Sequence, residues 1–123
     1  MNACTSDLLN KYPYDVTNLW LERRNIIGVL DLGAFSKLTN LNCSYNKIVQ
    51  LCNLPNCLIE LNCSHNQIVQ LDNLPDSLTT IKCSHNRMMD LEKLPNSLVY
   101  LDCSENKITK LNNIPKSAKN IHM

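Results

Sequence analysis

Glycine is nearly absent from this chain: Gly28 and Gly33 are the only two in 123 residues. Two glycines cannot build a Gly-rich phosphate cradle or a dinucleotide fingerprint, so the common nucleotide-binding enzymes are excluded. Charge of neither sign dominates, because 12 Lys and Arg against 11 Asp and Glu leave a formal net charge of +1. The electrostatic attraction that drives most nucleic-acid and anionic-membrane binding is therefore missing, and neither partner is expected. Long apolar runs are also lacking. The longest is a handful of residues around Ile26 to Leu30, against roughly 20 needed to cross a bilayer. The segment ahead of Val16 includes Asp7, Lys11, Pro13 and Asp15 and holds no apolar stretch that could act as a secretion signal, so export is not expected. The five prolines are dispersed, and 44% apolar against 19% charged residues is too hydrophobic for a disordered tail. A chain of this length folds around a single core.

What is abundant is Leu (20) and Asn (18), together 38 of the 123 residues, a bias that signals a repeating unit. A strict 20-residue period runs from Leu38 onward: LTNLNCSYNKIVQLCNLPNC, LIELNCSHNQIVQLDNLPDS, LTTIKCSHNRMMDLEKLPNS and LVYLDCSENKITKLNNIPKS, followed by AKNIHM. Leu41 and Cys43, Leu61 and Cys63, Ile81 and Cys83, and Leu101 and Cys103 alternate, which predicts a short strand with one buried face in each unit. Asn46, Asn66, Asn86 and Asn106 recur at the turn that follows. A primary amide there has donors and an acceptor for the backbone of adjacent coils, which predicts a structural Asn ladder. Pro55, Pro75, Pro95 and Pro115 forbid a helix on the return side, which is expected to be extended or a single 3₁₀ turn. Stacked units set like residues in columns about 4.8 Å apart, the spacing of neighbouring strands.

The domain reading that follows is one solenoid over residues 1–123. Residues 1–15 form an N-terminal cap, 16–37 a degenerate first repeat, 38–117 four 20-residue repeats and 118–123 a terminal half repeat. In the degenerate unit Val16, Leu19 and Leu21 take the strand slots, Arg24 or Asn25 falls at the Asn slot, and Ile26, Val29 and Leu32 follow. The step from Val16 to Leu38 exceeds the later period by two, and the insertion is expected near Gly33, Ala34 and Phe35. In the cap, Ser6 or Asp7 is expected to N-cap a short helix ended by Pro13, with Leu8, Leu9, Tyr12 and Trp20 covering the open core.

The unit L-x-x-L-x-C-S-x-N-x-I-x-x-L-x-x-L-P over residues 38 to 123 resembles the leucine-rich repeat, with Cys in its third apolar slot. The resemblance implies an α/β-type repeat solenoid, right-handed, with about six short parallel strands on its concave face. The L-P step is similar to that of bacterial secreted effectors, which usually carry two such steps per unit where this chain has one. In wording the chain most resembles the Asn-rich leucine-rich repeat proteins of giant DNA viruses of amoebae, where strings like LNCSYNKI and LPNSL are typical. Either resemblance implies a protein-binding solenoid without catalysis or cofactor. Some effectors attach a ubiquitin-ligase domain to their repeats, but the nine residues after Ile114 are expected to be too few for one.

Seven cysteines suggest at first a disulfide framework or a metal site. However, Cys43, Cys63, Cys83 and Cys103 share one slot, and side chains about 4.8 Å apart in a parallel column lie beyond the Cβ separation of about 3.5 to 4.5 Å that a disulfide takes. A linear column also cannot converge on one zinc ion. These residues read as buried free thiols filling the core, at ease in a reducing cytoplasm. Cys52 and Cys57 sit at variable convex positions where a link is conceivable, and Cys4 lies in the cap. The column Tyr45, His65, His85, Glu105 reads either as a metal or pH-sensing site or as a polar rim. Ser44, Ser64, Ser84 and Ser104 point away from the histidines by alternation, so no nucleophile–base pair forms and no enzyme is expected.

The concave slots vary where the core slots do not. They nominate Tyr45, Glu60, His65, Lys82, His85, Arg87, Tyr100 and Asp102 as candidate protein-contacting residues, with Tyr and Arg the types most enriched in binding hot spots. The expected function is a non-enzymatic protein–protein interaction module, cytoplasmic, in the host cytoplasm if viral. The alternative is a structural or virion component that packs against itself or coat proteins. A homodimer through the C-terminal edge strand is the simplest self-association, since an unpaired edge templates pairing.

Overall fold

The computed structural model describes residues 8–91 and 93–123. The expected N-cap at Ser6 or Asp7 and the cap cysteine Cys4 lie outside the described residues. Among the described residues eight strands run in chain order: β1 (Asn18–Trp20), β2 (Ile27–Asp31), β3 (Asn40–Asn42), β4 (Lys47–Cys52), β5 (Glu60–Asn62), β6 (Thr80–Lys82), β7 (Tyr100–Asp102) and β8 (Asn120–His122). Six of them form one parallel sheet in the order β1-β3-β5-β6-β7-β8. The register matches slot to slot, pairing Leu19 with Leu41, Leu41 with Leu61, Leu61 with Ile81, Ile81 with Leu101 and Leu101 with Ile121. The fold is thus a parallel β-solenoid with little helix, one coil per strand, and its sheet lines the concave side. Helical structure among the described residues is one turn at 8–9, closed by Lys11 N donating to Leu8 O and Tyr12 N to Leu9 O.

The core follows from the alternation. In β1, β3, β5, β6 and β7 the middle residue is buried, in β8 it is half-buried, and its neighbours face outward, because successive side chains of a strand point to opposite faces. The next inward slot holds Leu21, Cys43, Cys63, Cys83 and Cys103, none more than 1% exposed. Each proline sits at a turn whose carbonyl accepts the N–H three residues on, Pro55 from Leu58, Pro75 from Leu78, Pro95 from Leu98 and Pro115 from Ala118. A residue without an N–H loses nothing there, and its fixed φ holds the corner.

The convex side is extended, and over the first two coils it gains a sheet of its own. Strands β2 and β4 pair in parallel, with a register shift between Gly28 and Val29, where Gly28 takes a φ of 82°. This bulge corrects the expectation for the degenerate unit. Leu30, not Val29, is the residue sealed in the core, paired with Leu51. At the bulge the unpaired residue is Val49 of β4, and the first coil then turns from Leu32 to Phe35, whose carbonyls accept from Phe35 and Leu38. Trp20 departs further. Leu8, Leu9 and Tyr12 pack against the end of the core, whereas Trp20 is 55% exposed and pairs in register with Asn42 on the concave face.

Candidate functional site: the concave face and the turn column

Two sets of side chains define the site, those projecting from the strands and those held at the turn just after them. At the turn Arg23, Tyr45, His65, His85 and Glu105 all have φ between 54° and 57°. This is the left-handed region, which costs an L-residue about 1–2 kcal/mol. At Tyr45, His65, His85 and Glu105 the ladder amide one position on holds this conformation, whereas Arg23 is followed by Arg24, whose N–H donates to Asn46 Oδ1. Asn66 Nδ2 donates to Cys43 O and Cys63 O at 3.0 Å each and to Ser64 O at 3.3 Å, while its Oδ1 accepts from Ile48 N at 3.0 Å. Asn86 repeats this set one coil later with Cys63, Cys83, Ser84 and Ile68, and Asn106 with Cys83, Cys103, Ser104 and Met88. Asn46 reaches Leu21, Cys43 and Ser44 and accepts from Arg24 and Ile26. Asn66 and Asn86 are buried, so no water can replace them.

A backbone repeated this closely stacks whatever side chains it carries. The Tyr45 and His65 rings lie 4.2 Å apart with an 8° tilt, and His65 and His85 lie 4.1 Å apart with a 12° tilt. The Arg23 guanidinium caps the stack 4.1 Å above the Tyr45 ring, a cation–π contact. Desolvation, then His85, then Arg23 push the His65 imidazole below its ordinary value, so it stays neutral at pH 7. The geometry also bears on metal binding. Near-parallel rings aim their nitrogen lone pairs in parallel planes about 4 Å apart, whereas two ligands of one ion must converge on it. Among the described residues no three His, Cys, Asp or Glu side chains gather at one point.

On the strands, Ser44 N and Oγ both donate to Asn42 Oδ1, at 3.1 and 2.7 Å. Ser64 does the same to Asn62 at 3.2 and 2.6 Å, and Ser104 to Asp102 at 3.1 and 2.6 Å. These hydroxyls are committed as donors, which gives the repeated serine a structural reason to be there. Lys82, in the same slot, makes no such bond to Ser84. Trp20, Asn40, Asn42, Glu60, Asn62, Thr80 and Lys82 line a cleft of about 150 Å³. At the far end Tyr100 and His122 meet at 5.5 Å.

The structure thus brings Tyr45, His65 and His85 into one stack and Glu60 and Lys82 into one cleft. Tyr100 and Asp102 sit on β7 beyond that cleft, and Arg87 is exposed beside the ladder on another column. Trp20 and Arg23 were missed from sequence. The available signal was the spacing: they precede Asn42 and Tyr45 by the same interval that separates Val16 from Leu38 and Arg24 from Asn46.

No protein-family model matches the sequence, and no curated protein matches it either. Solved structures do. The chain is similar to a leucine-rich repeat domain of a Shigella effector, with 32% identity and a TM-score of 0.81, over 94% of this chain and 50% of that one. It is also similar to YopM from Yersinia enterocolitica WA-314, with 29% identity and a TM-score of 0.70, over 89% of this chain and 26% of that one. The chain spans half the length of the first and about a quarter of the second. Domains of this type are in general interaction modules without catalysis. Parallel concave strands in slot-to-slot register, a 20-residue coil and these two likenesses lead to one conclusion: this protein has the fold of a leucine-rich repeat solenoid, of the kind found in bacterial effectors.

Proposed function

We propose that the protein binds a protein partner on its concave face, through the surface carrying Tyr45, Glu60, His65, Lys82, His85, Arg87, Tyr100 and Asp102, with Trp20 and Arg23 added to that set. The observation that carries this reading is the Arg23–Tyr45–His65–His85 stack. Its rings are aligned before any partner arrives, and Tyr45 is 43% exposed. Binding through pre-ordered aromatic groups avoids much of the side-chain ordering cost of association. A protein partner, rather than nucleic acid or an anionic membrane surface, suits a net charge of +1.

Affinity capture with matched variants tests the reading. A partner retained by the wild type and by the convex variant Val69→Ser, and lost with Tyr45→Ser plus His85→Ser, supports it. Equal retention by all three removes it.

The setting we propose is a reducing cytoplasm, that of the host if the chain comes from a giant DNA virus, or a virion. The support is that Cys43, Cys52, Cys57, Cys63, Cys83 and Cys103 are all free thiols. The rival structural reading is a homodimer or a coat-protein contact through β8, a strand that among the described residues pairs with β7. Sedimentation velocity across a range of concentrations reads it, and a single monomeric boundary throughout discards it.

A further inference from the structure

The column Trp20, Asn42, Asn62, Lys82 has a direction that the residue names do not reveal. Oδ1 of Asn42 and Oδ1 of Asn62 each accept a backbone N–H, from Ser44 and Ser64 respectively. An N–H can only donate, so the acceptor must be the oxygen and the amide cannot be flipped. The serine hydroxyl occupies the same oxygen. What is left to face the cleft is Nδ2, a donor, and both amides line that cleft together with Trp20 and Lys82. Indole N–H and ammonium are likewise donors only. Over four successive coils this column therefore offers hydrogen-bond donors, with an exposed indole at one end, while Asn40, Glu60 and Thr80 of the adjacent column line the same cleft.

Lys82 adds a second and independent observation. Its slot holds Asn42, Asn62 and Asp102 in the neighbouring coils, and each of those caps the N–H and hydroxyl of the serine two residues on. Lys cannot accept a hydrogen bond, so this coil forgoes the cap. Positions that break a structural rule their neighbours obey are where function is expected. The flanking charges agree. In the strand and turn slots of the coils of β1 to β6, Arg23, Lys47, Lys82 and Arg87 stand against Glu22 and Glu60, whereas Asp102 and Glu105 lie one coil further on.

We propose that this column is a docking site for an extended acidic peptide segment of the partner, with a carboxylate on Lys82, carbonyl or carboxylate oxygens on Asn42 and Asn62, and an apolar group against Trp20. The inference rests on the concave-face reading above and narrows it to one chemistry. Asn42 and Lys82 stand two coils apart, about 9.6 Å. A polyproline-type strand advances about 9.3 Å in three residues, so residues i and i+3 of a ligand lying along the solenoid axis meet both.

Two-dimensional ¹⁵N NMR of the full chain tests this, because the Trp20 indole and the Asn42 and Asn62 side-chain amides give their own signals. The probes are the peptides (Glu-Thr)₅, (Gln-Thr)₅ and (Lys-Thr)₅. The acidic peptide should shift those three signals, and the neutral and basic ones should not. Lys82→Asn should weaken the acidic peptide about tenfold while raising the Tm, since it restores the missing cap to Ser84. Opposite signs in the two readouts cannot come from a variant that merely folds badly. Silent donor signals with the acidic peptide, equal shifts with the basic one, or unchanged affinity in Lys82→Asn would each overturn the proposal. If they do while the Tyr45→Ser plus His85→Ser variant still loses its captured partner, the concave-face reading stands and only the acidic-peptide assignment falls.

Discussion

Replacing Asn66 with Ala isolates what a ladder amide contributes. The side chain serves four backbone groups, which differ in what they lose. Cys43 O keeps Asn46 Nδ2 at 3.0 Å, Cys63 O keeps Asn86 Nδ2 at 3.0 Å, and Ser64 O keeps Tyr45 N at 3.1 Å. Each carbonyl loses a second bond, about 0.5 kcal/mol apiece. Ile48 N has no alternative acceptor, and Ile48 is fully buried, so its N–H becomes an orphan at about 1–3 kcal/mol. The expected loss is about 2.5–4.5 kcal/mol, or roughly 10–17 °C in Tm for a chain of this size. Urea unfolding with an unchanged m-value is the assay. A midpoint placing Asn66→Ala within about 0.5 kcal/mol of wild type, the range of an inconsequential surface substitution, would falsify the reasoning. Asn66→Asp sharpens the test. Protonated, Asp can still donate to one carbonyl while accepting from Ile48 N. Ionised, it turns a negative oxygen toward three carbonyl oxygens. Its native pKa is therefore raised, the native state holds a proton that the unfolded state releases, and stability must fall as pH rises through the ordinary Asp value of about 3.9. The gap to wild type should widen from pH 3 to pH 7, and a constant gap would contradict the geometry.

Other consequences are more quickly checked. Burial pushes the Cys43 thiol up to about 12 and raises Cys63, Cys83 and Cys103 as well; desolvation and then Asp31 raise Cys52 too, but Cys52 and Cys57 are only half-buried, so these two should react ahead of those four with a thiol reagent at pH 8, and equal labelling of the six would contradict the core assignment. Cys57 Sγ donates to Ser36 O and Leu38 O at 3.2 Å, in the column where Ser77 and Ser117 make the same pair of bonds at 2.6 to 2.8 Å. Cys57→Ser should accordingly stabilise the fold by about 0.5–1 kcal/mol in a melt. The lowered pKa of His65 means the unfolded chain binds the proton more readily, so stability falls as pH drops through the ordinary His value of about 6.5. His65→Phe keeps a ring in the stack and removes the titration, and its melting temperature should gain on wild type between pH 7.5 and 5.5.

The 20-residue period made the concave strands legible, because a period-2 alternation recurring in the same slots admits one placement of the buried face. The inward cysteines followed from the same slots. Two features of the degenerate unit did not. Nothing in Ile26 to Leu32 marks the register shift after Gly28, since an apolar run fits a core slot at Val29 as well as at Leu30, and pairing with β4 decides between them. Trp20 reads as a cap residue by hydrophobicity, yet the register with Asn42 turns it outward. The column Tyr45, His65, His85 was visible as a column. Its stacking was not, because it depends on a left-handed backbone that neither Tyr nor His announces and that the following amide enforces.

The ladder bonds have an arithmetic consequence. In the later coils each amide reaches back 18 residues to an N–H and 23 to a carbonyl; for Asn46, spanning the longer first coil, the separations are 20 and 25. Coils are thus joined by rules that count from like slot to like slot and ignore which unit is which. Excising residues 58–77 would set Asn86 against Cys43 as Asn66 is now, and duplicating them would add a coil with every bond already specified. Such a chain can change copy number by unequal recombination without inventing a new interface, lengthening its strand-bearing face in steps of about 4.8 Å. The first coil, with its register shift and longer span, is the part outside that counting rule, and so the part such a process must leave in place.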